Sequence, residues 1–354
     1  MAALNHTVRA YLAQNATDPL HQGEIKRRDV RDTDVSIKVH YCGICHTDLH
    51  MAHNEWGMSQ YPLVPGHEIA GVVDAVGSKV TKFKVGDRVG VGCVVNTCQK
   101  CDHCNHELEH VCREGMTMTY GYPDKISPGN PTFGGYSERI VVEDRYVLRI
   151  PDGLDLADAA PLLCAGITSW TPLVQAKVGP NSKVGVVGIG GLGHLAVKLA
   201  RALGASVTAF TSKASKRDEL IALGANDVVV TSDPEDVKRV TGTLDVIVDT
   251  VSADHDIMSL INALVFEGTY HIVGAPSTPL KLGTFPLIMK QVRITGSGIG
   301  SIQSTQEMLD LCAEKKVAPI IEIGALKDVN HLFERLEKGD VRFRFVLDIK
   351  GHFE

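Results

Sequence analysis

Residues 183–211 read KVGVVGIGGLGHLAVKLARALGASVTAFT, and the fold class turns on this stretch. Val184, Val186 and Val187 make a short apolar run of the kind a strand buried on both faces shows. Gly188-Ile189-Gly190-Gly191-Leu192-Gly193 follows and fits G-x-G-x-x-G. Leu192, Leu195, Ala196, Leu199 and Leu203 then recur at helical spacing until Gly204 stops the helix. A second apolar run, from Val207 to Phe210, completes a strand–helix–strand unit. Each glycine has a mechanical reason to be there. Gly188 permits the tight turn, Gly190 lets the backbone approach a pyrophosphate, and Gly193 allows close helix–strand packing. The helix start offers free N–H groups and a positive dipole end to that pyrophosphate. With 34 glycines in 354 residues a bare match would mean little. Its flanking strands and helix make it a dinucleotide turn.

A chain of 354 residues is long enough for two domains. Hydrophobic content of 44% and charged content of 22% describe an ordinary globular protein with a full core. A net charge of −6 without a basic stripe excludes a nucleic-acid footprint. No apolar run approaches the roughly 18 residues that a membrane span needs. Residues 1–14, MAALNHTVRAYLAQ, lack the pattern of a secretory signal. The expected address is the cytoplasm, where nine cysteines point to metal or reactive thiols rather than disulfides.

Residues 1–153 read as all-β. Short β-rich runs at 35–41, 70–76, 88–95, 137–142 and 146–149 are separated by turn signals such as Lys84-Val85-Gly86-Asp87. Residues 114–132 are rich in Gly, Pro, Met and Tyr and read as a long surface loop. Pro151-Asp152-Gly153 reads as the exit from this domain. Over residues 154–295 helix and strand alternate, with further strands at 227–231, 244–250, 269–273 and 292–295 and helices at 215–223, 234–241 and 255–264. Six strands with helical crossovers predict an α/β, doubly wound parallel sheet with its ligand at the carboxyl ends. Residues 296–354 add a helix at 305–315 and a strand at 343–349, and are expected to return to the first domain.

The residues after the second strand choose the cofactor. An NAD enzyme of this fold places Asp or Glu there, about 20 residues past the glycine turn, to accept from the ribose 2′-hydroxyl. Here Thr211-Ser212-Lys213-Ala214-Ser215-Lys216-Arg217 holds no acid until Asp218. Hydroxyls on Thr211 and Ser212 can donate to a 2′-phosphate, and Lys213, Lys216 or Arg217 can supply charge. A solvated first helical turn is the bland alternative, but positive charge there opposes the dipole. NADP(H) is the predicted cofactor.

Cys98-x-x-Cys101-x-x-Cys104 with Cys112 beyond it matches the closed tetrahedral arrangement of a structural zinc. A four-cysteine iron–sulfur site is the alternative, though nothing else in the chain suggests an electron carrier. Cys45, His67 and Cys164 are far apart, and each alone reads as an ordinary buried or surface residue. Together they would make the Cys2His set of a catalytic zinc with one position open. Cys45 stands in Cys42-Gly43-Ile44-Cys45-His46-Thr47-Asp48, and Asp48 could accept from the free ring N–H of His67. Cys42, Cys93 and Cys312 read as buried thiols without a role.

These pieces in this order resemble the zinc-dependent medium-chain alcohol dehydrogenases, over nearly the whole chain. Gly57-Met58-Ser59-Gln60-Tyr61-Pro62, Val64-Pro65-Gly66-His67-Glu68, Gly134-Gly135-Tyr136-Ser137 and residues 297–301 are similar to the cinnamyl-alcohol-dehydrogenase-like branch. The resemblance implies a GroES-like β-barrel catalytic domain, a Rossmann domain, and an active site in the cleft between them. It implies that Cys45, His67 and Cys164 bind the catalytic zinc, with Glu68 as an alternate or supporting ligand. The two ligand sets then imply two zinc ions per chain. Thr47 falls where the family hydrogen-bonds the substrate oxygen, and His50 where it carries a proton to solvent. His46, Thr168, Thr250, Gly274, Ser297, Gly298 and Ile299 match cofactor-contacting positions. The loops that line family pockets read Asn54-Glu55-Trp56-Gly57 and residues 116–122 here, unlike a lignin-pathway enzyme. Trp56, Met58 and Ile299 are candidate lining residues, with ordinary packing as the rival reading of each.

The expected activity is interconversion of primary alcohols and aldehydes, aromatic or medium-chain, by a zinc-dependent NADP(H) enzyme, expected to be a homodimer. A polyol dehydrogenase of the same superfamily fits the Thr47/His50 pair and residues 57–62 less well. A zinc-stabilised binding module would leave the dinucleotide turn unexplained.

Overall fold

The computed structural model describes residues 4–276 and 278–354; residues 1–3 of the N-terminal stretch lie outside it. Two compact units form, one from residues up to Cys164 together with Ser301–Glu354, the other from Ala165–Gly300.

In Ala165–Gly300 six strands form one parallel sheet. Their spatial order is Asp227–Val230, Ser206–Thr211, Lys183–Val187, Leu244–Asp249, Leu264–Ile272 and Arg293–Gly296. The order reverses direction between Lys183–Val187 and Leu244–Asp249, which opens a crevice at their carboxyl ends. Val184, Val186, Val207, Ala209, Ile247 and Val248 are all buried, as strands covered on both faces require. Helix Gly193–Ala202 buries Leu195, Ala196, Leu199 and Ala200. The helix predicted at 255–264 is shorter, Ile257–Ile261, and is capped by Asp256, which accepts from the N–H groups of Met258 and Ser259. Leu264 instead opens the strand Leu264–Ile272, so the strand predicted from residue 269 starts earlier.

The other unit is built on a seven-stranded sheet. Its path runs Ile321–Ala325, Arg344–Asp348, Asp34–Gly43, Ile69–Val76, Arg88–Val91 and Leu148–Arg149, with Arg139–Glu143 also paired to Asp34–Gly43. The strand from the chain's tail thus lies beside the first long strand, pairing Val346 with Gly43. The run predicted at 88–95 breaks at Gly92 and Cys93 into Arg88–Val91 and Val94–Asn96. A hairpin, His6–Leu12 with His21–Arg27, adds to the predicted strands. In the tail, strand Ile321–Ala325 and helix Val329–Glu337 join the two predicted elements. That helix buries Val329, Leu332, Phe333 and Leu336, a stripe at helical spacing.

The all-β reading of residues 1–153 needs one correction that bears on the site. Helix His46–Ala52 lies within them. Asp48, its third residue, reaches back to the backbone N–H of Cys45 at 2.8 Å and starts the helix.

Candidate active site

Cys45 precedes helix His46–Ala52, His67 and Glu68 precede strand Ile69–Val76, and Cys164 sits in the π-helical turn Leu162–Gly166 that joins helices Leu156–Pro161 and Ile167–Gln175. One ligand atom from each of Cys45, His67, Glu68 and Cys164 lies within 4.8 Å of the others. Two positions without side chains make this approach possible. A Cβ on Gly43 would lie 1.9 Å from Glu68 Oε2. One on Gly66, where φ is +103°, would lie 2.7 Å from both Cys42 Sγ and the Tyr136 ring.

Asp48 organises the cluster from behind. It is fully buried and accepts from the N–H of Cys45 at 2.8 Å, the N–H of Gly66 at 3.1 Å and the Tyr136 hydroxyl at 3.3 Å. The expected hydrogen bond from His67 is a looser approach, with Nδ1 3.4 Å from Asp48 Oδ1. His67 Nδ1 and Glu68 Oε2 are buried and carry no hydrogen bond. Such groups are costly to leave unsatisfied, and two thiols, an imidazole and a carboxylate are donors that suit zinc. The Cys164 thiol and the His67 ring hold the Cys45 thiol well below its ordinary value. Burial pushes the Glu68 carboxyl up to about 7 against the pull of Arg344.

Three residues of this site escaped the sequence reading. Arg344, buried on the strand Arg344–Asp348, donates to Glu68 Oε1. Its only sequence signal is a cation inside the apolar run Phe343-Arg344-Phe345-Val346. Tyr120 stacks on His67 with ring centroids 5.7 Å apart, buried in the segment read as a surface loop. Tyr136 supports Asp48.

Thr47 and His50 share the helix His46–Ala52. The Cys45 thiol approaches Thr47 Oγ1 at 3.6 Å. His50 Nδ1 lies 2.6 Å from Glu55 Oε2, and its ring is 5.1 Å from that of Trp56. Trp56 and Met58 are about half exposed, and Ile299 is half-buried. His46 is exposed, 6.3 Å from the His50 ring.

The four-cysteine lobe is assembled locally. One sulfur from each of Cys98, Cys101, Cys104 and Cys112 lies within 4.8 Å of the others. Backbone N–H groups point at three of them, from Cys98 to Cys112 Sγ, Cys101 to Cys98 Sγ and Cys104 to Cys101 Sγ, at 3.4–3.5 Å. The N–H of Cys104 leads in drawing the Cys101 thiol down to about 6. These donors stabilise thiolates, the form that binds metal.

The glycine turn opens a cavity of about 810 Å3, lined among others by Gly188, Ile189, Thr211, Ser212, Lys216 and Lys238. Gly188 has φ +81°, Gly190 has open space where a Cβ would stand, and a Cβ on Gly193 would lie 2.1 Å from the Gly188 carbonyl oxygen. Leu192 and Gly191 carry the chain into helix Gly193–Ala202. Thr250 directs its hydroxyl to the carbonyls of Val187 and Gly188, at 3.0 and 2.5 Å. A Cβ on Gly274 would lie 2.2 Å from the Val251 carbonyl oxygen. Arg217 turns instead to the Val228 carbonyl and Asp236, at 2.8 and 2.9 Å. Lys213 is exposed and outside this lining, and Thr168 is buried in helix Ile167–Gln175. Ser297 meets fully buried His271, whose Nε2 is 2.9 Å from Ser297 Oγ, while Gly298 has open space where a Cβ would stand.

Among the described residues no helix is long and apolar enough to cross a membrane. Two family models match the chain, an alcohol dehydrogenase GroES-like domain over residues 31–152 and a zinc-binding dehydrogenase domain over residues 191–314. An NADP-dependent alcohol dehydrogenase C 1 of Mycolicibacterium smegmatis is 50% identical, over 97% of this chain and 98% of the relative. A cinnamyl alcohol dehydrogenase structure from Sorghum bicolor matches with a TM-score of 0.93 at 46% identity, covering 98% of each chain. The structure of CAD from Helicobacter pylori complexed with NADP(H) matches with a TM-score of 0.90 at 36% identity, covering 98% of this chain and 99% of that one. Fold, ligand clusters and relatives agree: the chain belongs to the zinc-binding alcohol dehydrogenases, with a GroES-like domain and a Rossmann domain.

Proposed function

We propose that this chain uses NADP(H) and zinc to interconvert primary alcohols and aldehydes, aromatic or medium-chain. The observation that carries the reading is the meeting of Cys45, His67, Glu68 and Cys164 within 4.8 Å, from three distant parts of the chain. Cys45, His67 and Cys164 would hold a catalytic zinc with Glu68 as alternate ligand, and Cys98, Cys101, Cys104 and Cys112 a structural one. A zinc held there would supply Lewis acidity toward the substrate oxygen, and a dinucleotide held at the glycine turn would supply the hydride chemistry. Thr47 orients the substrate hydroxyl and passes its proton toward His50. His50, with its side chain 34% exposed and Glu55 at 2.6 Å, hands that proton to solvent. Asp48 keeps Cys45 and the turn at Gly66 in place, and Arg344 fixes Glu68.

The glycine turn takes the pyrophosphate, and Thr211, Ser212 and Lys216 take the 2′-phosphate. Among the described residues strand Arg293–Gly296 pairs on one side only, and Phe266, Leu282, Phe285, Ile288 and Met289 are exposed in the same unit. A second copy that continues the sheet and covers these side chains makes a homodimer our reading. All nine cysteines are unpaired, which suits the cytoplasm as the compartment.

Metal analysis of purified protein together with aldehyde reduction tests this. We expect two zinc ions per chain, matching the two ligand clusters, turnover of benzaldehyde, and at least about a hundredfold preference for NADPH in kcat/KM, roughly 2.7 kcal/mol. One zinc per chain would remove the catalytic assignment. Equal efficiency with NADH would remove the NADP(H) assignment alone.

A further inference from the structure

Lys216, Arg217, Lys238 and Arg239 follow the two strands Ser206–Thr211 and Asp227–Val230 at the edge of the parallel sheet. The two arginines are committed elsewhere. Arg217 donates to the Val228 carbonyl and to Asp236, and Arg239 to Asp227 at 2.6 Å and Asp236 at 2.8 Å. The two lysines are different. Both are exposed and both line the dinucleotide cavity. Neither forms an ion pair among the described residues.

Three titratable groups of the same cavity come from another element, the loop after strand Leu244–Asp249. Asp254 accepts from the Thr278 hydroxyl, and Asp256 accepts from the N–H groups of Met258 and Ser259. His255 turns its Nε2 to Asp249 at 2.9 Å. The acids therefore already have neutral donors. The cavity has hydroxyls from Thr211, Ser212 and Thr231 beside the two lysines.

We infer that Lys238 is a second cation for the 2′-phosphate of the dinucleotide, acting with Lys216, and so a determinant of cofactor preference. This rests on the NADP(H) reading above. A phosphate monoester carries about −1.5 to −2 charges at neutral pH, more than one ammonium group offsets. Lysine suits this position, because a point charge on a flexible stem reaches a phosphate without the fixed geometry that a guanidinium needs. Nothing in the glycine fingerprint announces Lys238, which stands 27 positions beyond Thr211 (238 − 211) on the helix after the next strand.

Binding of NADPH, NADH and adenosine 2′,5′-bisphosphate to the full-length protein, unmodified and as Lys238→Ala and Lys216→Ala, tests this. Lys238→Ala should weaken NADPH and the bisphosphate about tenfold and NADH less than about twofold, with a shallower salt dependence of NADPH binding. Lys238→Arg should keep most of the NADPH affinity, since the charge stays. Equal losses for NADPH and NADH would place Lys238 on a part that the two cofactors share and overturn the inference. No change for either would make it a solvated side chain and overturn the inference as well. Unmodified protein that binds both cofactors equally would overturn the NADP(H) reading and this inference with it. Discrimination left undiminished by Lys238→Ala would overturn the inference alone.

Discussion

Two clusters of side chains that could each hold a metal ion lie in the same unit and are built in opposite ways. The sulfurs of Cys98, Cys101, Cys104 and Cys112 come from one short loop, and backbone N–H groups of that loop serve the sulfurs. Cys45, His67, Glu68 and Cys164 come from a helix start, a strand start and a π-helical turn between two α-helices. Their supports are remote as well: Tyr136 reaches Asp48 and Arg344 reaches Glu68. A local cluster uses its ligands to hold a loop together. A dispersed cluster uses an already folded unit to hold its ligands, so losing one should affect chemistry more than folding.

Cysteine replacement in each cluster is the most direct way to break that comparison. Cys45→Ser should lower kcat/KM by about a thousandfold or more while thermal unfolding changes little. Cys101→Ser should instead reduce folding yield and Tm, because metal binding there contributes directly to folding. Kinetics and calorimetry on the two variants side by side decide it. Similar losses of stability in both would refute the division.

Arg344→Met probes the remote support of the dispersed cluster. It leaves Glu68 buried without its cation and should cost about 3–5 kcal/mol in denaturant unfolding. Adding Glu68→Gln should recover much of that. A loss below about 1 kcal/mol would show that the pair contributes little.

His50→Gln tests a group on the helix that Cys45 precedes. Alcohol oxidation at neutral pH should slow roughly ten- to a hundredfold, with partial recovery at higher pH. An unchanged rate and pH profile would reduce His50 to a surface residue.

His271 carries the comparison into the other unit, where no short-range pattern explains a buried imidazole. Burial lowers it to about 4. An unfolded histidine titrates near 6.5, so between those values the unfolded chain binds the extra proton. Stability is therefore complete above about pH 6.5 and declines as pH falls toward 4. His271→Gln should lose less stability than the unmodified protein between pH 7 and pH 5, by about 2 kcal/mol. Equal losses in urea titrations at the two pH values would contradict this.

Much was legible without coordinates where the governing forces act between near neighbours. The glycine turn was, because backbone φ and the room beside a residue depend on the turn itself, as Gly188 and Gly193 illustrate. So was the four-cysteine loop, whose spacing alone brings sulfurs together. The parallel strands could be read from runs such as Val184 to Val187, because burial on both faces erases alternation. The helix His46–Ala52 was missed inside an all-β stretch, since its start depends on the Asp48 side chain, which packing against Gly66 and Tyr136 also holds. Arg344 shows the same limit over a longer range. Its role comes from a strand near the chain's end pairing beside Asp34–Gly43, which places a guanidinium against Glu68. The sequence also offered Lys213, Lys216 and Arg217 as equivalent cations. Only folding separated them, because Asp236 approaches Arg217 while Lys216 and the distant Lys238 line the cavity. Local backbone conformation and spacing travel with the chain; partners for buried charge depend on which distant elements pack together, and tertiary structure alone decides that.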